Sequence, residues 1–145
     1  MPLDDTPKSF PGGHRDIRRK LQREPVAAAA ARRELESLSG DLDRQELQVI
    51  ALLMTELIAN SVKHAGPDAG EVLGLEVAVM PERIRVEVRD GGNGFVPSAR
   101  DDADPDAHWG LHLVDRMSSR WEVVIDAATD QTVVWFELDR RGRAA

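Results

Sequence analysis

Glu56, Asn60, Lys63 and His64 put a carboxylate, a carboxamide, an amine and an imidazole within nine residues. Glu56, Asn60 and His64 follow one another at i, i+4 and i+8, so on a helix they form one stripe, with Lys63 beside it. Leu53, Leu57 and Ile58 fall on an apolar face of the same stretch that must be buried. Polar groups on the margin of a buried face are costly unless something polar meets them, so the stripe is either a solvated face or one wall of a site for a polar ligand.

Three further places bear on that choice. Ile84, Val86 and Val88 alternate with Arg83, Arg85, Glu87 and Arg89, and Asp90 continues the inward parity, which puts an acid at the end of a core-facing row. The run Asp90-Gly91-Gly92-Asn93-Gly94-Phe95 follows. A tight turn accounts for one or two of its glycines, and close approach of backbone to a ligand accounts for the rest. Gly110 is expected to open a helix over Leu111 to Ser119, where a turn feeding a helix start is either an anion site or simple helix initiation. Thr132 stands at the edge of an apolar row with Val134, Phe136 and Leu138, as a ligand contact or as an ordinary strand residue.

The elements that must position these groups are legible from periodicity. Met1 to Gly13 is rich in proline and glycine and reads as a tail, with no apolar signal core. Arg15 to Arg23 has a weak strand pattern, its charge run reading as a solvated edge or a contact surface. Pro25 starts an Ala-rich helix through Leu38, with Val26, Ala30, Leu35 and Leu38 facing a core. Asp43 and Glu46 have capping-box spacing at the head of a second helix that keeps its period through Leu47, Ile50, Met54, Leu57, Ile58 and Ser61 up to Ala65. Two alternating strands follow, over residues 73–79 and 84–90. Pro97 to His108 reads as a polar, acidic loop, then come the helix at Gly110 and a closing hairpin over residues 121–125 and 131–138. Helices thus cover one face of a mixed, mostly antiparallel sheet in a two-layer α/β sandwich. The domain is expected over residues 14–139, between a tail at 1–13 and another at 140–145.

Composition bounds the function. The chain has 145 residues, a net charge of -7 and no cysteine. The acidic balance argues against direct nucleic-acid binding, and the missing thiols rule out a disulfide framework or a cysteine nucleophile. No apolar run nears the roughly 20 residues of a membrane span, so a cytoplasmic protein without membrane association is expected.

Glu56-xxx-Asn60-xx-Lys63-His64 resembles the N box of the GHKL (Bergerat-fold, HATPase-c) ATP-binding superfamily. Asp90-x-Gly92-x-Gly94-Phe95 resembles its G1 box, and Trp109-Gly110-Leu111-His112-Leu113-Val114 its second glycine box. Thr132-Val133-Val134-Trp135-Phe136 is similar to its final Thr-containing strand. The order and spacing hold over roughly residues 15–138, and the wording of residues 60–65 is similar to the anti-sigma-factor serine/threonine kinase branch. The resemblance implies a Bergerat-type sandwich that binds ATP with Mg²⁺. It implies that Asp90 accepts a hydrogen bond from the adenine amine, that Gly92 and Gly94 let backbone pack on the nucleotide, and that Thr132 lies near the base. Asn60 would hold Mg²⁺. Glu56 would orient or deprotonate the attacking hydroxyl or water. Lys63 or His64 would face phosphate or ribose, and Gly110 with Leu111 and the helix after it would meet the phosphates.

The implied partners are a sigma factor and an anti-anti-sigma protein with a STAS domain, and a homodimer is a further expectation. One departure stands out: His108 occupies the place of the first lid glycine, beside an acidic segment with Asp101, Asp102, Asp104 and Asp106. Two readings follow. In one, the chain is a protein serine/threonine kinase that phosphorylates its STAS partner and sequesters a sigma factor. In the other, it is a non-catalytic ATP-binding adaptor or anti-sigma binder. A detached histidine-kinase ATPase domain is a weaker third.

Overall fold

The computed structural model describes residues 15–64, 72–90, 105–126 and 131–140. Strand β1 (Arg15–Gln22) leads into helices α1 (Ala27–Glu36) and α2 (Arg44–His64). Strands β2 (Val72–Val79) and β3 (Arg83–Asp90), helix α3 (Pro105–Met117), and strands β4 (Arg120–Asp126) and β5 (Gln131–Asp139) complete the order. The strands form one sheet in the order β1-β2-β3-β5-β4. Each neighbouring pair is antiparallel, so among the described residues the expected mixed sheet is antiparallel throughout.

One face of the sheet is apolar because the strands alternate in register. Ile17, Val77, Val86 and Phe136 lie across from one another on successive strands, as do Leu21, Leu73, Asp90 and Thr132. The helices close over this face: α1 packs on β1 and α2, α2 on β3 and α3, and α3 on β4. Ile50, Leu53, Met54, Leu57 and Ile58 of α2 are buried against Val77, Ile84, Val86 and Phe136 in the shared core. The chain therefore forms the expected two-layer sandwich, with its helices on one side of the sheet.

Helix starts and stops follow local chemistry. At the head of α2, the Glu46 N–H donates to Asp43 Oδ1 at 2.8 Å and the Asp43 N–H to Glu46 Oε1 at 2.9 Å, the reciprocal bonds of a capping box. The inward row of α1 differs from expectation. Ala27, Ala31, Leu35 and Leu38 are buried, whereas Val26 is 53% exposed. Counting back by fours from Leu35 gives Ala31 and Ala27, and Val26 lies in the turn before the first helical residue.

The start of α3 is a second correction. The helix begins at Pro105, not at Gly110, so His108, Trp109 and Gly110 belong to the helix rather than to the loop and turn before it. Proline suits that first position because its missing N–H would lack an intrahelical acceptor anyway. Met117 is 38% exposed, while Val114 is fully buried.

Just beyond β5, Arg140 anchors the chain rather than trailing from it. Its guanidinium donates to Met80 O at 3.0 Å, Asp41 O at 2.7 Å and Glu46 Oε2 at 2.9 Å.

Candidate functional site

The stripe on α2 is not uniform. Asn60 is 6% exposed, Glu56 is half-buried and Lys63 is exposed. The four-residue steps from Glu56 to Asn60 and on to His64 each rise about 6 Å along the axis. His64 ends the helix, and its side chain lies outside the described residues, as do Gly92 and Gly94. Gly110 sits more than a turn inside α3, where a backbone N–H is committed to the helix ladder. Any phosphate contact there cannot use a helix N-terminus at Gly110. Leu111 is buried in the hydrophobic core.

Asp90 is the best-connected of the expected site residues. It ends β3 on the core-facing row, opposite Leu73 on one side and Thr132 on the other. Asp90 and Thr132 are both buried. The Ser61 hydroxyl of α2 donates to Asp90 Oδ2, and Arg23 Nη2 donates to Asp90 Oδ1. Helix and sheet thus meet through a polar cluster set into an otherwise apolar layer, and Asn60 adjoins it through its neighbour Ser61.

The residues singled out in the sequence include Asp90, Asn60 and Thr132 of this buried polar group but not two further members. Ser61 is read as part of the inward helical row, which is right for its direction, but a hydroxyl in such a row needs a polar partner, and Asp90 is that partner. Arg23 is read as the end of a charged strand. Its side chain is only 4% exposed, and it pairs with an acid 67 positions away. Burial lowers the pKa of its guanidinium from the ordinary value. Nothing local marks such a residue; the available signal is the inward Asp90, which needs a counter-charge from somewhere.

Asn60 Nδ2 is buried and has no hydrogen-bond partner among the described residues, a property it shares with Thr55 Oγ1 on the same helix. A buried carboxamide left unsatisfied carries a desolvation cost, and a ligand in contact with it removes that cost. Which amide atom faces the ligand is interchangeable by a flip. One carboxamide oxygen fits Mg²⁺, which keeps most of its shell as water and phosphate oxygen. No group of three or more acidic or imidazole side chains arranged to hold a metal occurs among the described residues. A lone carboxamide suits a cation that arrives with an anionic ligand. No helix among the described residues is long and apolar enough to cross a membrane.

The model of the histidine kinase-like ATPase domain matches residues 21–138. No curated protein matches the chain. Among solved structures, it is similar to the histidine kinase domain from the Erythrobacter litoralis EL346 blue-light activated histidine kinase. The identity is 25% and the TM-score 0.49, over 63% of this chain and 43% of that one. The present chain thus spans less than half the length of that structure.

Proposed function

The chain belongs to the histidine kinase-like ATPase domain family, within the GHKL superfamily, and from that premise we propose that it binds Mg·ATP between α2 and the β3–β5 edge of the cluster and uses it to phosphorylate a protein partner. The observation that carries the nucleotide reading is the buried set of Asn60, Ser61, Asp90 and Thr132, polar side chains gathered between a helix and a sheet whose remaining interface is apolar. In this reading Asp90 and Thr132 face the base, and Asn60 holds Mg²⁺. The cation, when bound, neutralises phosphate charge. Lys63, exposed beside the stripe, or His64 would meet phosphate or ribose.

Glu56 supports the step beyond binding. It lies one turn before Asn60 and is half-buried, so a carboxylate is available at the edge of the cleft to accept a proton. The proposed reaction is attack by a partner serine hydroxyl on the γ-phosphorus of ATP. The new O–P bond forms as the bond to the ADP oxygen breaks, and the hydroxyl proton passes to Glu56. Most of the catalysis is positioning and charge neutralisation. The proposed partner is an anti-anti-sigma protein with a STAS domain, and the proposed regulatory output is capture of a sigma factor. The wording Asn60-Ser61-Val62-Lys63-His64-Ala65 supports that branch.

A second reading, an ATP-binding adaptor without turnover, is favoured by His108 in the place of the first lid glycine and by the acidic segment before it. Incubation with γ-labelled ATP and STAS-domain candidates separates the two. The kinase reading expects label on the partner with wild type and none with Glu56→Ala, although the variant still binds Mg·ATP. ATP binding without any transfer supports the adaptor, and absence of binding overturns both.

A further inference from the structure

We infer that Arg23 is a gate on the base subsite, its guanidinium holding the edge of Asp90 that a nucleobase amine needs until the nucleotide displaces it. The inference rests on the nucleotide reading above and adds to it a competitor supplied by the chain itself.

The geometry starts with where Arg23 leaves the backbone. The β1–β2 pairing ends at Gln22 opposite Val72, and Leu21, Leu73 and Asp90 lie side by side on three successive strands. Arg23 therefore follows the last paired residue of an edge strand and reaches across two strand spacings, about 9–10 Å, to the acid. Its side chain is 4% exposed, although the residue as a whole is half-exposed, so the backbone lies at the surface and the guanidinium lies inside. The next residues turn at once, with the Glu24 N–H on Gln22 O at 2.8 Å and the Ala27 N–H on Glu24 O at 2.8 Å. A long side chain rooted in a surface turn can swing out without disturbing the β1 ladder.

The chemistry explains the competition. An exocyclic amine on a base and a guanidinium are both planar N–H donors, and either satisfies a carboxylate oxygen. The guanidinium is charged and makes the stronger bond. With Arg23 buried against Oδ1 and Ser61 on Oδ2, the carboxylate is satisfied without ligand, and a base reaches it only in the fraction of molecules in which Arg23 has left. Apparent affinity falls by that fraction: a tenth open means Kd about tenfold weaker than the intrinsic value. Arg23 thus sets the nucleotide concentration at which the site fills, and a partner that draws the arginine outward would load the site.

Arg23→Met tests the gate, because it keeps the apolar stem and removes the donors. Calorimetric titration of the full chain with Mg·ATP is expected to give a Kd about tenfold lower for Arg23→Met than for wild type. Equal or weaker binding by the folded variant overturns the gate and leaves the nucleotide reading standing. No binding by either protein overturns the nucleotide reading and the gate with it. Arg23→Gln, which drops the charge and keeps a polar head, decides the matter even if Arg23→Met fails to fold. The gate expects it too to bind Mg·ATP more tightly than wild type, and equal or weaker binding by the folded variant overturns the gate.

Discussion

Asp90 and Glu137 lie on adjoining strands of one sheet, both nearly buried and both paired with arginine, on opposite faces. On the outer face, the charges form a lattice. Arg85 reaches Glu87 at 2.8 Å and Glu137 at 3.4 Å, and its guanidinium lies 4.1 Å from the centre of the Trp135 ring. Arg120 reaches Glu137 at 3.0 Å and also binds Asp139, while Arg18 lies 3.5 Å from Glu76. Arg85, Arg120 and Glu137 thus each have two opposite charges to meet. On the helix-covered face, Asp90 has one arginine, one hydroxyl and an apolar surround, with an unsatisfied carboxamide next in sequence to that hydroxyl. The difference teaches that a buried acid beside an arginine does not by itself mark a site. Redundant pairing on the outer sheet face reads as scaffold, whereas the sparse polar cluster between two apolar layers is the place where we propose a ligand.

The contrast can be broken at Asp90 first, where the largest effect is expected. Asp90→Asn removes the charge that Asp90 sets against the buried Arg23, so urea unfolding should show a loss of about 3–5 kcal/mol. Mg·ATP binding should weaken about tenfold, the loss of one hydrogen bond from the base amine worth about 1.4 kcal/mol. Unchanged nucleotide affinity would remove Asp90 from the site.

Glu137→Gln should do much less. Arg85 keeps Glu87 and Arg120 keeps Asp139, so a loss of about 1–2 kcal/mol by urea unfolding is expected, with nucleotide affinity unaltered. A loss as large as that at Asp90 would mean that the lattice is not redundant.

The smallest effect lies at Glu76. Burial raises its pKa above the ordinary 4.5, and the neighbouring Glu87 raises it further. With the folded pKa above the unfolded one, the folded state binds the proton more tightly. The contribution of Glu76 is therefore most favourable below pH 4.5 and declines as pH rises through the raised value. Glu76→Gln should remove that decline from the stability–pH curve and change stability at neutral pH by less than about 1 kcal/mol, since the Arg18 partner is largely solvated. A curve identical to wild type between pH 4 and 7 would show that the pairing with Arg18 offsets the burial.

The same contrast explains what could be read in advance. The parity of Ile84, Val86 and Val88 placed Asp90 inward because a strand admits only two directions. The Asp43–Glu46 box was legible because its bonds close within one turn. Arg23 was not, because its role depends on which strands become neighbours, and a charged residue at the end of a charged strand has the same local wording whether it faces water or an acid. The start of α3 was hidden by composition: the aspartates of residues 101–106 read as loop, although Pro105 followed by Asp106 is also a sound helix start.

The strand order carries a consequence for biogenesis. β5 lies between β3 and β4, and β4 makes its only pairing among the described strands with β5. As the polypeptide emerges from the ribosome, β1, β2 and β3 can zip in turn with the first two helices above them. β4 then waits with neither edge bonded until the strand after it is released and inserts between the two. The Thr132 side of the cluster around Asp90 is absent until that moment. Nascent chains arrested before β5 should thus be sensitive to protease and unable to retain nucleotide, and release of those last residues should convert both properties together.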